Sequence, residues 1–451
     1  MSHGYTISAV KKSVVPVVQK SGVFPLSAEE LFALLSKPST FERSLPRSWD
    51  VRSLRMHGLP CQEGASCVIQ LRLGHKTRVS FCNVVPQKSF TEVWDKEWGR
   101  KWRRTRTIQR EGASTVAIFD EIHASSAEQQ SISDWSFWQC EMLRQDCLLF
   151  AKAAIPPLRI LLSGAQGFIG SQLKLLLEMA GCTVIALSRN QQKGNSVYWE
   201  PHRAILRTSD FEGFDAVIHL AGENIASARW TESQKRKLFL SRARDTWLLS
   251  HALLRAKKPP RVMIVGSAVG FYGDRGEEVL TEKSSHGSGF LPELCQAWER
   301  ATDGLEQKGV RIVHARFGTV VGQRGGILRK LLPIFRLGLG GILGKGDQYW
   351  SWISMDDVIS ALLYLLAKEE VKGPVNFVSE QPLRQREWVQ LLAQHVHRPM
   401  FFSIPRWALR LRFGEMADAI MLASAKVVPR ALLQAGYSFR TPLLLDALRS
   451  A

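Results

Sequence analysis

The stretch Leu162 to Gly170, written LSGAQGFIG, constrains this chain more than any other. A short apolar run, Arg159 to Ser163, leads into three glycines with two residues between neighbours, and an apolar helical pattern follows to Ala180, closed by Gly181. A buried strand turning directly into a helix needs such a corner, because glycine takes up positive φ and leaves room for another stretch of backbone. The helix that starts there offers free N–H groups and the positive end of its dipole to an anion. In this pattern Gly164 permits the tight turn, Gly167 lets backbone approach a pyrophosphate and Gly170 lets helix pack on strand. Together with Gln166, Phe168 and Ile169 they read as a dinucleotide cradle.

The rest of the chain from Arg159 supports that context. Short buried runs, TVIALS, DAVIHLAG, RVMIVGSA and RIVHARFG, alternate with helical segments, the βαβ rhythm of a parallel sheet covered on both faces. The expected fold is therefore α/β, a doubly wound parallel sheet. The second strand ends Leu187-Ser188-Arg189-Asn190, with a cation where an acid would receive the ribose 2′-hydroxyl of NAD. NADP is accordingly the expected cofactor and NAD the alternative. A charge-assisted bond from Arg189 to the 2′-phosphate is worth about 1.5–3 kcal/mol, roughly 10- to 150-fold in preference.

The 150 residues in front follow a different pattern. Ser27-Ala28-Glu29-Glu30 is a capping box opening a short helix, and strand-like runs lie at 67–73, near 78–86, 90–98, 101–109 and 115–123. A helix follows with Trp135, Trp138, Met142 and Leu149 on one stripe, as for an element laid across a curved antiparallel sheet. Such a grip either encloses an apolar molecule or is filled by its own side chains. Ile155-Pro156-Pro157 breaks the pattern. The expected division is a helix-grip domain over 1–154, a dinucleotide-binding domain over 158–380 and a C-terminal lobe over 381–451.

The formal charge of +19 raises nucleic acid or anionic lipid as partners. Only Arg100 to Arg110, RKWRRTRTIQR, is dense, and its alternation suits an exposed strand rather than a groove-reading helix. No nucleic-acid partner is expected, and no run of about 18 apolar residues or secretion signal points to membrane insertion or export. Arg406 to Phe413, RWALRLRF, is basic and amphipathic and is expected to pack as a lobe helix. The seven cysteines form no C-x-x-C pair and are expected as free thiols in a cytoplasmic protein, with no metal site.

From about residue 158 to the end the chain resembles the extended short-chain dehydrogenase/reductases, and among them the atypical epimerase-family branch related to nucleoside-diphosphate-sugar epimerases. The blocks SGAQGFIG, DAVIHLAGENIASARW, SRARDT, VGSAVGFYGD, LCQAWE, ARFGTVVGQRGGIL, LGLGGILGKGDQYWSWISMDDV and GPVNFVSEQP carry it in order, and VVPRALLQAGYSFRTPLLLDAL resembles that branch's C-terminal domain. The front resembles, more weakly, the ligand-binding domains of the START and polyketide-cyclase (SRPBCC) type. The resemblance implies that Gly164, Gly167 and Gly170 line the pyrophosphate, that Arg189 flanks the adenine ribose and that Leu220, Ala221 and Gly222 run beside the cofactor. It implies a small-molecule substrate and either an oxidoreductase or an epimerase.

The chain also departs from its resemblance. Hydride-transferring relatives use a tyrosine and a lysine four residues later; with Glu299 aligned on their following acid, Leu291 and Cys295 stand in those places. Ser267 lies within one residue of the relatives' catalytic serine or threonine. Where sugar-nucleotide enzymes place an arginine on the substrate diphosphate stands Trp350, which with Trp352 either stacks on a ligand or packs. Candidates for the chemistry are Ser267, Tyr272, Cys295 and Glu299; Glu223, Asn224, Ser241, Arg242 and Asp274 fall in matched blocks, Ser241-Arg242 having ordinary helix surface as its other reading. Without the tyrosine–lysine pair, a second function fits: a regulatory protein that senses NADP or carries a ligand, as for relatives in plastids and bacteria that affect cell division.

Overall fold

The computed structural model describes residues 17–43, 45, 51–71, 76–96, 101–112, 115–153, 155–189, 196–201, 208–322 and 325–450. Arg72, Leu73, Arg100, Asn190, Gln323 and Arg324, which fall within the runs quoted above, and the Trp138 side chain lie outside the described residues. The chain divides into two compact units, Met1–Leu148 and Leu149–Ala451.

The first unit is an antiparallel sheet with a long helix. Its strands are β1 (Val17–Phe24), β2 (Val51–His57), β3 (Ser66–Leu71), β4 (Lys76–Val85), β5 (Ser89–Lys96), β6 (Lys101–Arg110) and β7 (Val116–His123), in the order β1-β7-β6-β5-β4-β3-β2. Between β1 and β2 lie α1 (Ala28–Leu35) and α2 (Pro38–Arg43), and α3 (Ser126–Ala153) follows β7. The Ser27–Glu30 capping box is formed in both directions.

β6 corrects the expectation of an exposed basic strand. Its period of two sends Trp102, Arg104, Arg106 and Ile108 inward, leaving Arg104 0% and Arg106 1% exposed. Arg106 forks onto Asp120 at 2.8 and 3.0 Å. Arg104 donates to Glu92 at 2.6 Å and to Ser136 and Gln139 of α3 at 2.8 and 2.7 Å. Arg43 forks onto Asp146 at 2.6 and 3.0 Å, while Trp94 and Trp102 stack at 4.9 Å with Trp135 edge-on to both. A buried charge is tolerated only when paired and hydrogen-bonded, and here the partners come from both neighbouring strands, β5 and β7, and from α3. The described interior is thus occupied by the unit's own ionic and aromatic side chains. Burial alone would raise the Asp120 carboxyl, but Arg106 and Arg104 outweigh it and hold the group at about 2.

The second unit carries a seven-stranded parallel sheet. In chain order its elements are β8 (Arg159–Ser163), α4 (Phe168–Met179), β9 (Thr183–Ser188), β10 (Ser196–Tyr198), β11 (Ala216–His219), α5 (Glu232–Phe239), a π-helical turn (Leu240–Arg244), α6 (Asp245–Leu254), β12 (Val262–Ala268) and α7 (Phe290–Arg300), then strands Arg311–Phe317 and Gly373–Phe377. The sheet order is β10-β9-β8-β11-β12, then those last two strands. Strand residues alternate between two cores. Ile160, Leu162, Ile218, Ile264 and Val313 pack with Leu173, Leu176 and Leu177 of α4 and with the helix Met355–Ala367. Leu161, Val217, Met263 and Val265 pack on the opposite side with Leu249 and Leu253 of α6 and with Trp298. This is the doubly wound α/β sheet expected, and its strand order reverses direction between β8 and β11. The segment after residue 404 is tied in by Asp357, whose carboxylate accepts from the Arg440 and Thr441 N–H groups, the Thr441 hydroxyl and the Tyr437 hydroxyl.

Arg106→Met would leave Asp120 buried and uncompensated, lowering the first unit's stability by about 3–5 kcal/mol in thermal or denaturant unfolding. Arg106→Met/Asp120→Leu should recover most of that. In wild type the folded carboxyl titrates near 2 and an unfolded one near 3.9, so the Asp120 contribution is present above about 4 and lost as pH falls through about 2.

Candidate functional site

In an open parallel sheet the crevice lies beyond the strand ends at the switch point, here after β8 and β11. After β8 the chain enters Gly164 at φ +71°, where a Cβ would stand 3.0 Å from Leu220 C and O and from Ala221 N. A Cβ at Gly170 would meet the Gly164 carbonyl oxygen at 2.2 Å. Two backbones and a helix therefore meet at van der Waals distance, and only hydrogen fits between them. The turn is closed by Gly167 N–H donating to Gly164 C=O at 2.8 Å, and the first helical bond is Ser171 N–H to Gly167 C=O at 3.1 Å. Gly167 caps α4 with no side-chain bond, so the N–H groups of Phe168, Ile169 and Gly170 precede the helical ladder and point out of its open end. Gln166 belongs to the exposed part of the turn, whereas the Phe168 ring packs under the glycines at 322, 325 and 326.

Sequence reasoning missed the clamp beneath this turn. Ser163 Oγ accepts from Leu220 N–H at 3.0 Å and Ala221 N–H at 3.1 Å. With both lone pairs engaged, its hydroxyl donates to His219 Nδ1 at 2.7 Å. The imidazole is therefore neutral with its proton on Nε2, an atom that is buried without a hydrogen-bond partner among the described residues. Burial lowers the His219 pKa to about 4. Nothing in the pattern "SG" or "IHLAG" says that this serine and histidine meet; parallel register between β8 and β11, with Ser163 beside His219, brings them together.

Arg189 stands exposed at the end of β9. Leu220 and Ala221 line the wall opposite Gly164, and Gly222 follows them against the Arg242 side chain.

The candidates for chemistry gather at the ends of β12 and α7, but they turn inward. Ser267 Oγ donates to Glu299 at 2.7 Å, and Arg316 forks onto both Glu299 oxygens at 2.8 Å. The Tyr272 hydroxyl accepts from Arg316 at 2.9 Å and donates to Asn376 Oδ1 at 2.7 Å, with the ring 0% exposed. The Arg316 guanidinium also lies 3.5 Å from the Phe271 ring centre. Burial raises the Tyr272 hydroxyl against the pull of Arg316. Cys295 sits in an apolar cluster with Phe271 and Tyr272, and burial pushes its thiol up to about 12. A thiol so high and so enclosed is not a nucleophile near neutrality. Arg316 and Asn376, absent from the sequence-based candidates, are the pieces that close this network. Trp350 and Trp352 both pack: their indole N–H groups donate to the carbonyls of Met421 at 3.3 Å and Gln381 at 3.0 Å. Glu223 and Asn224 are exposed in the loop after Gly222, and Asp274 accepts from Ser424 N–H at 3.0 Å.

Residues 160–378 match the NAD dependent epimerase/dehydratase family, and residues 404–451 a domain of unknown function, DUF1731. An epimerase family protein of Mycobacterium bovis, Mb2239, is 37% identical over 290 residues, 64% of this chain and 96% of that protein. The chain belongs to the epimerase family. Human epimerase family protein SDR39U1, whose crystal structure was solved with NADPH, is 32% identical, with a TM-score of 0.60 over 64% of this chain and 98% of that one. A nucleoside-diphosphate sugar epimerase from Corynebacterium glutamicum, 24% identical, shares the fold over 96% of this chain and 89% of its own, with a TM-score of 0.78. No helix among the described residues of this family member is long and apolar enough to cross a membrane.

Because His219 is held neutral at about 4 while an unfolded imidazole titrates near 6.5, the unfolded state binds the extra proton between those values. Stability of the second unit should fall as pH drops from about 6.5 toward 4 and stop falling below that. His219→Gln should flatten that window in pH-dependent thermal unfolding.

Proposed function

We propose that the chain binds NADPH in the crevice after β8 and β11 and acts on a small molecule as an atypical NADP-dependent oxidoreductase or epimerase. The observation that carries the reading is the cradle at Gly164–Gly170. Its backbone is packed so closely that any Cβ at 164 or 170 would collide, while three N–H groups at the open end of α4 have no helical acceptor. That combination suits a pyrophosphate. Arg189, exposed at the end of β9, reads the 2′-phosphate. The NADPH in the related human structure supports the choice of cofactor.

Bound NADPH supplies a hydride at the crevice. The chain's own residues orient it: the α4 amides hold the diphosphate, the Ser163 clamp fixes the Leu220–Ala221 wall against which it lies, and the Glu299–Arg316 pair keeps the end of β12 rigid around Ser267. A second reading, an NADP sensor or ligand carrier without turnover, is favoured by one observation. Ser267 is bonded to Glu299, Tyr272 to Arg316 and Asn376, and Cys295 is sealed, so none of the four presents an uncommitted proton donor.

NADP should raise the melting temperature more than NAD, and Arg189→Asp should reverse that order; equal shifts would remove Arg189 from cofactor choice. Purified protein with NADPH and a metabolite mixture should lose nicotinamide absorbance, or exchange deuterium with a metabolite where no net oxidation occurs. Tight NADPH binding with neither signal would establish the sensor reading instead.

A further inference from the structure

Two guanidinium groups flank α7, and their circumstances differ. Arg316 is neutralised by a two-pronged pair with Glu299. Arg242 has no carboxylate within salt-bridge distance among the described residues, although it is partly buried and carries full charge. Its Nη2 donates to the Glu223 carbonyl at 2.8 Å; its Nη1 contacts, Leu238 C=O and Ser241 Oγ, are both 3.5 Å away, at the limit of a hydrogen bond. Burial lowers its pKa.

Its location is not that of an ordinary surface residue. Arg242 lies in the π-helical turn Leu240–Arg244 between α5 and α6, a local widening that redirects side chains and recurs at functional sites. The turn aims it at the cofactor wall: a Cβ on Gly222 would stand 3.5 Å from Arg242 Cζ and 3.7 Å from both Nη atoms. Ser241 of the same turn accepts from Glu223 N–H at 3.1 Å, pinning the loop that follows Gly222. On the far side Arg242 Cζ is 5.2 Å from the Trp298 ring centre, which favours a cation. Gly222 itself is exposed and follows directly on the Leu220–Ala221 backbone that meets the Gly164 turn.

We infer that Arg242 and the backbone at Gly222 form an anion subsite of the crevice, taking the phosphate or carboxylate oxygens of a bound ligand. The inference rests on the crevice being the ligand site proposed above. The anion belongs either to the cofactor's diphosphate or to an acidic substrate lying beside it. An arginine suits either source, since its fork pairs two donors with two oxygens and resists deprotonation when partly buried.

The test is titration calorimetry of wild type, Arg242→Gln and Arg242→Lys with NADPH and with inorganic phosphate, the latter with and without saturating NADPH. Phosphate affinity should fall about tenfold or more in Arg242→Gln, as for loss of a charge-assisted bond, and be partly restored in Arg242→Lys, which keeps the charge without the fork. A structural role alone would lower melting temperatures without separating the two variants in phosphate binding. If phosphate competes with NADPH and Arg242→Gln weakens NADPH equally, the anion is the cofactor's; if phosphate binds on top of NADPH, it is a substrate's. Unchanged phosphate and NADPH affinities in both variants would overturn the subsite. Wild type that takes up phosphate through Arg242 yet never binds NADPH would sink the cofactor reading and leave the subsite standing.

Discussion

The second unit's site depends on one close approach, that of the Gly164 turn to the Leu220–Ala221 backbone. With the Gly164 Cα at positive φ and no room for a Cβ, the ends of β8 and β11 can be drawn together until a single hydroxyl, Ser163 Oγ, bridges them. The same absence of side chains lets the Gly170 end of α4 settle onto the Gly164 carbonyl. Helix, turn and wall are thereby fixed before any ligand arrives, so little ordering entropy is lost on binding. His219 is the cost of this arrangement, an imidazole held neutral with Nε2 buried and without a partner among the described residues.

Much of this was legible in the sequence, for identifiable reasons. Uninterrupted apolar runs such as AVIH and VMIV mark strands covered on both faces, and the spacing of Gly164, Gly167 and Gly170 locates the turn because steric exclusion there acts over a few neighbouring residues. What stayed hidden depends on partners far along the chain. The arginines of β6 read as solvated because Glu92, Asp120 and Gln139, which neutralise and bond them, come from other elements. Trp350 and Trp352 were open between ligand and core until the carbonyls of Met421 and Gln381 claimed their indoles. Arg242 had helix surface as its other reading because a regular helix would carry it elsewhere; the π turn is a tertiary decision that no local propensity announces.

The two units handle buried charge in different ways. In the first, every described buried arginine meets a carboxylate. In the second, Arg316 and Glu299 repeat that solution at the end of β12, drawing Ser267 and Tyr272 into a network satisfied from within. Arg242 and Arg311 differ: among the described residues neither has a carboxylate within salt-bridge distance, Arg311 donating to the Val371 and Leu365 carbonyls and Arg242 packing against Gly222.

Diffraction from crystals grown with NADPH tests the central claim most directly. The account predicts pyrophosphate oxygens within hydrogen-bond distance of the main-chain N–H groups at Phe168, Ile169 and Gly170, with the 2′-phosphate beside Arg189. Cofactor bound elsewhere on the protein, or a crevice closed by side chains with NADPH excluded, would contradict it.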